Sequence, residues 1–490
     1  MKFLGIDVGS SSVKVALLDG ATGKALAQGF HPKSEMPMEA KEAGWAEQHP
    51  QMWWESLLAA LSALKEQASL EDVSAIGISY QMHGLVAVDA QQQPVRPSII
   101  WCDSRAVEIG ESAFQAIGEE TSLSQLLNSP GNFTASKLAW VKANEPELYS
   151  NIAKIMLPGD YIAMRLTGEI STTATGLSEG ILWDFRDRTV SKDVMGHYAF
   201  DDALIPEIRP TIGEQCKILP EMAAELGINP NAIISYRAGD QPNNALSLNV
   251  LEPGEIATTA GTSAVVYGVA NHNCYDTGQR VNTFLHVNDT NEQPRNGILL
   301  CVNGSGILYS WLKNLLGLGY EEMNNHAAEA PIGADGVSFY PFGNGAERVL
   351  VNKNPMASLW NINFNLHDDR HVIRAAKEGI VFAMNYGVEV FKEMKIPVEI
   401  MRAGYANLFQ SPLFREAFVN TTGAPLELYE TDGAVGAARA AGIGVGHWST
   451  KEAFGGLEKI EVIEPQPELQ TQYQEAYAHW KQGLDRILKF

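Results

Sequence analysis

The chain has 490 residues, 45% of them hydrophobic and 19% charged, and its formal net charge is −22. That length points to two large domains, and the composition is that of a globular chain rather than a disordered one. The acidic balance repels nucleic acid and anionic membranes, so any bound phosphate has to be held by metal, backbone N–H groups and a few local donors.

The N-terminus, Met1-Lys2-Phe3-Leu4-Gly5-Ile6-Asp7, places a carboxylate where a signal-peptide core would need apolar residues, and no stretch approaches the roughly 18 apolar residues of a membrane span. Cys102, Cys216, Cys274 and Cys301 lie far apart with no CxxC pair, which leaves zinc and disulfide frameworks without support and suits reduced thiols. The expected compartment is the cytoplasm.

Residues 2–18 read as strand, Gly/Ser turn, strand. The turn, Asp7-Val8-Gly9-Ser10-Ser11-Ser12, sets a carboxylate at a strand end before glycine and hydroxyls. Such a turn lets backbone and hydroxyl donors approach a phosphate, and the carboxylate suits Mg²⁺; equally, Gly and Ser are ordinary hairpin-turn residues. Pro50 then opens a helical stripe through Trp53, Leu57, Leu58, Leu61 and Leu64, and Val73–Ser79 returns as a strand. This alternation predicts an α/β architecture.

Tyr80-Gln81-Met82-His83-Gly84 follows that strand, where ligands bind in open α/β sheets. Gln81 and His83 suit sugar hydroxyls and Met82 an apolar sugar face, although a single His at a strand end is commonly structural. Trp101-Cys102-Asp103-Ser104-Arg105 carries a similar choice: Asp103 and Arg105 form either a structural pair beside a core Trp101 or part of a polyol pocket. Asp240, in Arg237-Ala238-Gly239-Asp240-Gln241-Pro242, precedes a helical run at residues 243–248. It reads as a helix N-cap, as a general base towards an acceptor hydroxyl, or as both.

Pro253-Gly254 is the expected junction between halves, giving domains 1–249 and 250–490. The second half opens as the first does, with strand, small-residue turn (Ala260-Gly261-Thr262-Ser263) and strand. Two such turns together suggest a nucleotide gripped from both sides. A long amphipathic helix follows from Val372 to Met394, and Tyr473 to Phe490 reads as a terminal helix whose aromatic stripe packs on the second half.

In this order the motifs resemble the FGGY carbohydrate kinases of the actin/Hsp70/hexokinase superfamily, almost end to end. GIDVGSSSVKVALLD is similar to the family's first phosphate motif and AGTSAVV to its second; GWAEQHPQMWW, QMHG and IIWCDSRA resemble xylulokinases in particular. The resemblance implies two RNase H-like domains with a cleft between them, the first carrying the sugar side and catalytic base and the second the nucleotide side.

Carried over by residue, it implies Mg²⁺ at Asp7 and Asp240, and ATP phosphates at Gly9, Ser10, Ser11, Ser12, Lys14, Gly261, Thr262 and Ser263. It implies sugar contacts at Gln81, Met82, His83, Trp101, Asp103, Arg105 and Asp240, with Asp240 activating the terminal hydroxyl. Gly345-Ala346-Glu347-Arg348 is similar to the family's Gly-Glu-Arg segment with one residue inserted, and Gly404, Tyr405 and Asn407 stand where the family's adenosine-site glycine run falls, with Tyr405 a departure from it. Thr172–Gly180 keeps the family's Asp-Ala-Ser-Gly-like run only loosely.

The implied reaction is ATP-dependent phosphorylation of D-xylulose to D-xylulose 5-phosphate in a homodimer. The alternatives are L-ribulose, L-xylulose or another polyol. Glycerol is disfavoured because glycerol kinases carry Arg-Glu where this chain has Met82-His83. A non-catalytic sugar sensor and an actin- or Hsp70-like ATPase are the readings from other classes.

Overall fold

The computed structural model describes residues 1–351 and 353–489. The described residues form two compact units. The first comprises Met1–Asn249, Phe284–Asn296 and Thr431–Leu457; the second comprises Val250–Thr283, Gly297–Glu430 and Glu458–Phe490. The division therefore includes the junction at Asn249/Val250, but it is not a single cut: two later segments fold with the first unit.

The first unit is built on a sheet whose strands lie in the order Ala25–His31, Val13–Asp19, Lys2–Val8, Val73–Tyr80, Ile233–Gly239, Ile212–Lys217. Lys2–Val8 pairs antiparallel with Val13–Asp19 and parallel with Val73–Tyr80. Ile233–Gly239 pairs parallel with Val73–Tyr80 and antiparallel with Ile212–Lys217. Three neighbouring parallel strands thus end side by side, carrying Asp7, Tyr80 and Gly239 to one edge. Central parallel strands are covered on both faces, which accounts for the almost unbroken apolar runs Phe3–Ile6 and Ala75–Ile78.

The expected helix after residue 49 spans Pro50–Lys65, with His49 accepting from the Gln51 N–H and Pro50 in the first turn. Trp53, Leu57, Leu61 and Leu64 enter the core, and Leu58 is only partly buried. The opposite face is covered by Gly433–Gly444, a helix of small residues capped by Asp432. It approaches backbone to backbone: a β-carbon on Gly5 would lie 1.8 Å from the Ala434 carbonyl oxygen, and one on Gly77 would lie 2.0 Å from that of Ala437.

The second unit repeats the pairing pattern. Gly254–Ala260 is antiparallel to Ala264–Ala270 and parallel to Val398–Gly404, followed by parallel Leu426–Glu430 and antiparallel Glu458–Ile463. The long helix spans Asp369–Glu393, started by Asp368, whose carboxylate accepts from the Arg370 N–H. The terminal helix Pro467–Ile487 buries Tyr473, Tyr477, Trp480 and Leu484 in this unit's core, with Trp480 stacked on Tyr340; Phe490 lies outside the described residues. Glu347–Leu350 is a short 3₁₀ turn. Among the described residues no helix is long and apolar enough to cross a membrane.

Gly77→Val forces side-chain atoms into the Ala437 carbonyl and should destabilise the chain by at least about 2 kcal/mol. Urea unfolding followed by tryptophan fluorescence checks this; a midpoint equal to the parent's overturns the close-approach account.

Candidate active site

Asp7 closes its strand opposite Lys14 across the hairpin and beside Ser79 on the neighbouring strand. The following turn is pinned from outside. Gly9 N–H donates to Ser12 O (3.0 Å), Met36 N–H to Ser11 O (2.8 Å), Gln48 Nε2 to Ser10 O (2.7 Å), and the Trp101 indole N–H to Ser10 Oγ (3.3 Å). Trp101 is exposed rather than core, so it stands at the turn and not under it.

Asp240 sits at the first position of the helix Asp240–Ser247. The cap position itself belongs to Gly239, so the N-cap reading is corrected by one residue. Its pKa is raised to about 7, first by burial and then by the charge of Asp7. Burial likewise raises Asp7, with Lys14 and Ser79 opposing and Asp432 adding to the rise. Neither carboxylate has an ion-pair partner among the described residues. The backbone packs tightly against them: a β-carbon on Gly433 would lie 2.6 Å from Asp7 Oδ2, and Asn243 Nδ2 donates to Gly433 O (2.9 Å).

Among the described residues there is no group of three or more His, Cys, Asp or Glu side chains arranged as a metal cage. Mg²⁺ in phosphoryl-transfer sites needs only one or two carboxylates, with waters and substrate phosphates completing its shell. Two half-buried carboxylates without an ion pair, with the charge of Asp7 raising the pKa of Asp240, fit that ion.

Beyond Tyr80 the chain turns through Gln81, Met82 and His83. His83 has a left-handed backbone (φ 60°), and its Nδ1 lies 2.9 Å from the Glu179 carbonyl oxygen. Since a carbonyl only accepts, that contact puts the proton on Nδ1. The ring meets Phe133 edge-on at 4.6 Å and Phe284 at 5.3 Å. A β-carbon on Gly239 would lie 2.5 Å from both Glu179 Oε2 and Met82 Cγ, so Met82, Gly239 and the Glu179 carboxyl converge. Glu179 is 2% exposed, and its pKa is pushed well above the usual carboxylate range by burial and then by Asp240.

Two expected sugar contacts, Asp103 and Arg105, turn out to be internal. Asp103 is fully buried and accepts from Arg105 and from the Ala46 N–H (2.6 Å). Arg105 also pairs with Glu47 (2.7 Å), which Arg96 meets from another side (2.6 Å), and its guanidinium lies 3.8 Å from the Trp45 ring centre. Gln81 is buried, with its amide facing Gln48 (3.4 Å). Asp103 and Arg105 bond to each other, to the Ala46 N–H and to Glu47, so these side chains support the loops.

In the second unit, the turn Gly261–Ser263 is braced by the start of the helix Ser305–Leu316. Ser305 Oγ and the Gly306 N–H both donate to Gly261 O (3.0 and 2.8 Å), and Ser263 Oγ donates to Asn303 (3.3 Å). Asn407 takes a left-handed backbone (φ 52°), and its amide nitrogen lies 3.4 Å from a β-carbon placed on Gly261. The Gly404–Asn407 segment and the second turn are thus neighbours. Tyr405 is exposed, with the Arg415 guanidinium 5.9 Å from its ring centre.

The sequence reading passed over Glu179, Lys137 and Asp432. Asp432 carried a signal, since Asp-Gly before a Gly/Ala run is a helix start; Lys137 stood out only as a charge within the otherwise uncharged helix segment Thr134–Val141.

Two sheets that share one pairing pattern, each opening with a hairpin, make up the actin/hexokinase-type fold. The FGGY family of carbohydrate kinases, N-terminal domain, matches residues 2–247. Xylulose kinase of Haemophilus influenzae is 30% identical over 413 residues, covering 82% of each chain. The chain belongs to the FGGY family of carbohydrate kinases. Among solved structures it is similar to ligand-bound xylulose kinase from Lactobacillus acidophilus (TM-score 0.91, 21% identity, 99% and 98% of the two chains). It is also similar to Plasmodium falciparum glycerol kinase with ADP (TM-score 0.87, 20% identity, 99% and 98% of the two chains).

Gly239→Ala places a methyl group against both Glu179 and Met82. Displacing those groups should lower sugar-dependent ADP release on the order of 10²-fold while the thermal midpoint stays near the parent's. Unchanged turnover would show that the convergence around Gly239 does not matter to the reaction.

Proposed function

We propose that this kinase transfers the γ-phosphoryl group of ATP to the terminal hydroxyl of a ketopentose, D-xylulose, giving D-xylulose 5-phosphate and ADP in the cytoplasm. The observation that carries the reading is Asp240, a half-buried carboxylate at a strand end with a pKa of about 7, set beside Asp7 and near the converging Met82 and Glu179. A proton acceptor works best with a pKa near the working pH. The choice of xylulose is supported by QMHG at residues 81–84 and by the xylulose kinases among its relatives.

In this reading Asp240 accepts the hydroxyl proton as the sugar oxygen bonds to the γ-phosphorus, and the bond to the ADP oxygen breaks. Met82 packs on the sugar. His83, protonated on Nδ1, lies beside the sugar. Gly9–Ser12, Lys14 and Gly261–Ser263 are the phosphate contacts of this reading, and Gly404, Tyr405 and Asn407 its adenosine contacts. Asp7 and Asp240 would hold Mg²⁺, which supplies charge neutralisation for the phosphates.

Coupled ADP release with a panel of ketoses and polyols tests the proposal. D-xylulose should be the preferred acceptor, and Asp240→Asn should reduce its turnover by about 10²–10⁴-fold. ADP release that is equally fast without sugar, or a variant with full sugar-dependent activity, would sink the role given to Asp240.

A further inference from the structure

Lys137 lies on the helix Thr134–Asn144, its side chain wholly enclosed. Its ammonium donates to two backbone carbonyls, those of His83 (2.8 Å) and Ile100 (3.0 Å). Neither acceptor is charged, and burial draws the amine's pKa down to about 7. For packing alone a methionine or leucine would fill this space without desolvating a charge. What the ammonium provides that they do not is a fixed bridge between two loops.

Those loops are the ones that matter on the sugar side. His83 is the left-handed residue whose ring is held between Glu179 O, Phe133 and Phe284. Ile100 immediately precedes Trp101, which is exposed and donates to Ser10 Oγ in the first phosphate turn (3.3 Å). One side chain therefore sets the His83 loop relative to the Trp101 loop, and through Trp101 relative to the turn after Asp7.

We propose that Lys137 is a positioning residue for the sugar pocket, locking the His83 loop to the Trp101 loop through its buried ammonium group. The proposal rests on the functional reading above only in naming the pocket as the sugar's. It acts through His83 and Trp101 and places Lys137 in no contact with substrate.

Steady-state kinetics of Lys137→Met should show KM for the sugar raised about tenfold or more, KM for ATP within about twofold of the parent, and kcat lowered less than kcat/KM for the sugar. Lys137→Arg keeps the cation but spreads its donors over a plane, and should fall between parent and Met variant. A folded Met variant with parental sugar KM, or with both KM values raised in proportion, overturns the proposal. The sugar used is whichever the parent phosphorylates best, so a wrong choice of D-xylulose does not bear on the result.

Amide hydrogen exchange gives a readout independent of turnover. Residues 81–85 and 100–104 should both exchange faster in the variant, with the rest of the first unit unchanged. Unaltered exchange in either loop overturns the bridge. Should the Met variant fail to fold, Lys137→Arg carries the exchange measurement, and the same loss of protection in both loops is expected.

Discussion

Two carboxylates, Asp7 and Asp240, are held half-buried at strand ends on one edge of the sheet with no ion pair to either; burial raises both, and the charge of Asp7 raises Asp240 further. Left to themselves they would separate or take up water. They stay because the strands that carry them cannot shift. Lys2–Val8, Val73–Tyr80 and Ile233–Gly239 are paired in parallel register, and the helix Gly433–Gly444 lies on them at a distance that only glycine permits at residues 5 and 77. The same helix brings Gly433 against Asp7 and Asp432 into its field. A site of this kind suits an ATP-dependent kinase, because the Mg²⁺ that accompanies the nucleotide would bring the positive charge that the carboxylates and phosphates both lack.

The fold by itself does not decide the acceptor. The chain resembles a glycerol kinase almost as well as a xylulose kinase in backbone (TM-scores 0.87 and 0.91), with about the same low identity to each (20% and 21%). Under the proposed reading, discrimination falls to the few side chains at the strand ends: Met82 and the Glu179 carboxyl, which converge on Gly239, and His83 beside the Glu179 carbonyl. Glu179 lies in the Thr172–Gly180 stretch, which keeps the family's pattern only loosely. Burial first, and then the charge of Asp240, push its pKa well above the usual carboxylate range.

Local pattern made much of this legible beforehand. The first hairpin, the helix after Pro50, the long helix ending near Met394 and the aromatic terminal helix all follow from periodicity and punctuation in the sequence. The repeat of one sheet topology in two units was visible only as two similar turns. What stayed hidden depends on contacts distant in sequence. Residues 431–457 return to the first unit, and nothing within them signals that they pack on residues 5 and 77. Lys137 meets carbonyls 54 and 37 positions away, contacts that no spacing rule encodes.

The case of Asp103 and Arg105 shows how compensation separates support from site. In sequence they looked like pocket residues as much as a structural pair. In the structure their charges close on each other, on Glu47 and through it on Arg96, with further support from Trp45. Asp160 and Arg237 form a second closed pair at 2.8 Å, and Arg374 and Glu378 a third at 2.7 Å. Breaking such a buried pair leaves a stranded charge and typically costs about 3–5 kcal/mol, so these pairs serve first to fix geometry. Asp7 and Asp240 are the opposite case, buried enough to be perturbed and open in their charge. Lys137 falls between the two, a cation whose acceptors are neutral carbonyls and whose nearest opposite charges, Asp103 first, act from a distance. A group so placed neither cancels the charge of the site nor joins the closed networks, which leaves orientation of the two loops it touches as the work its buried charge can do.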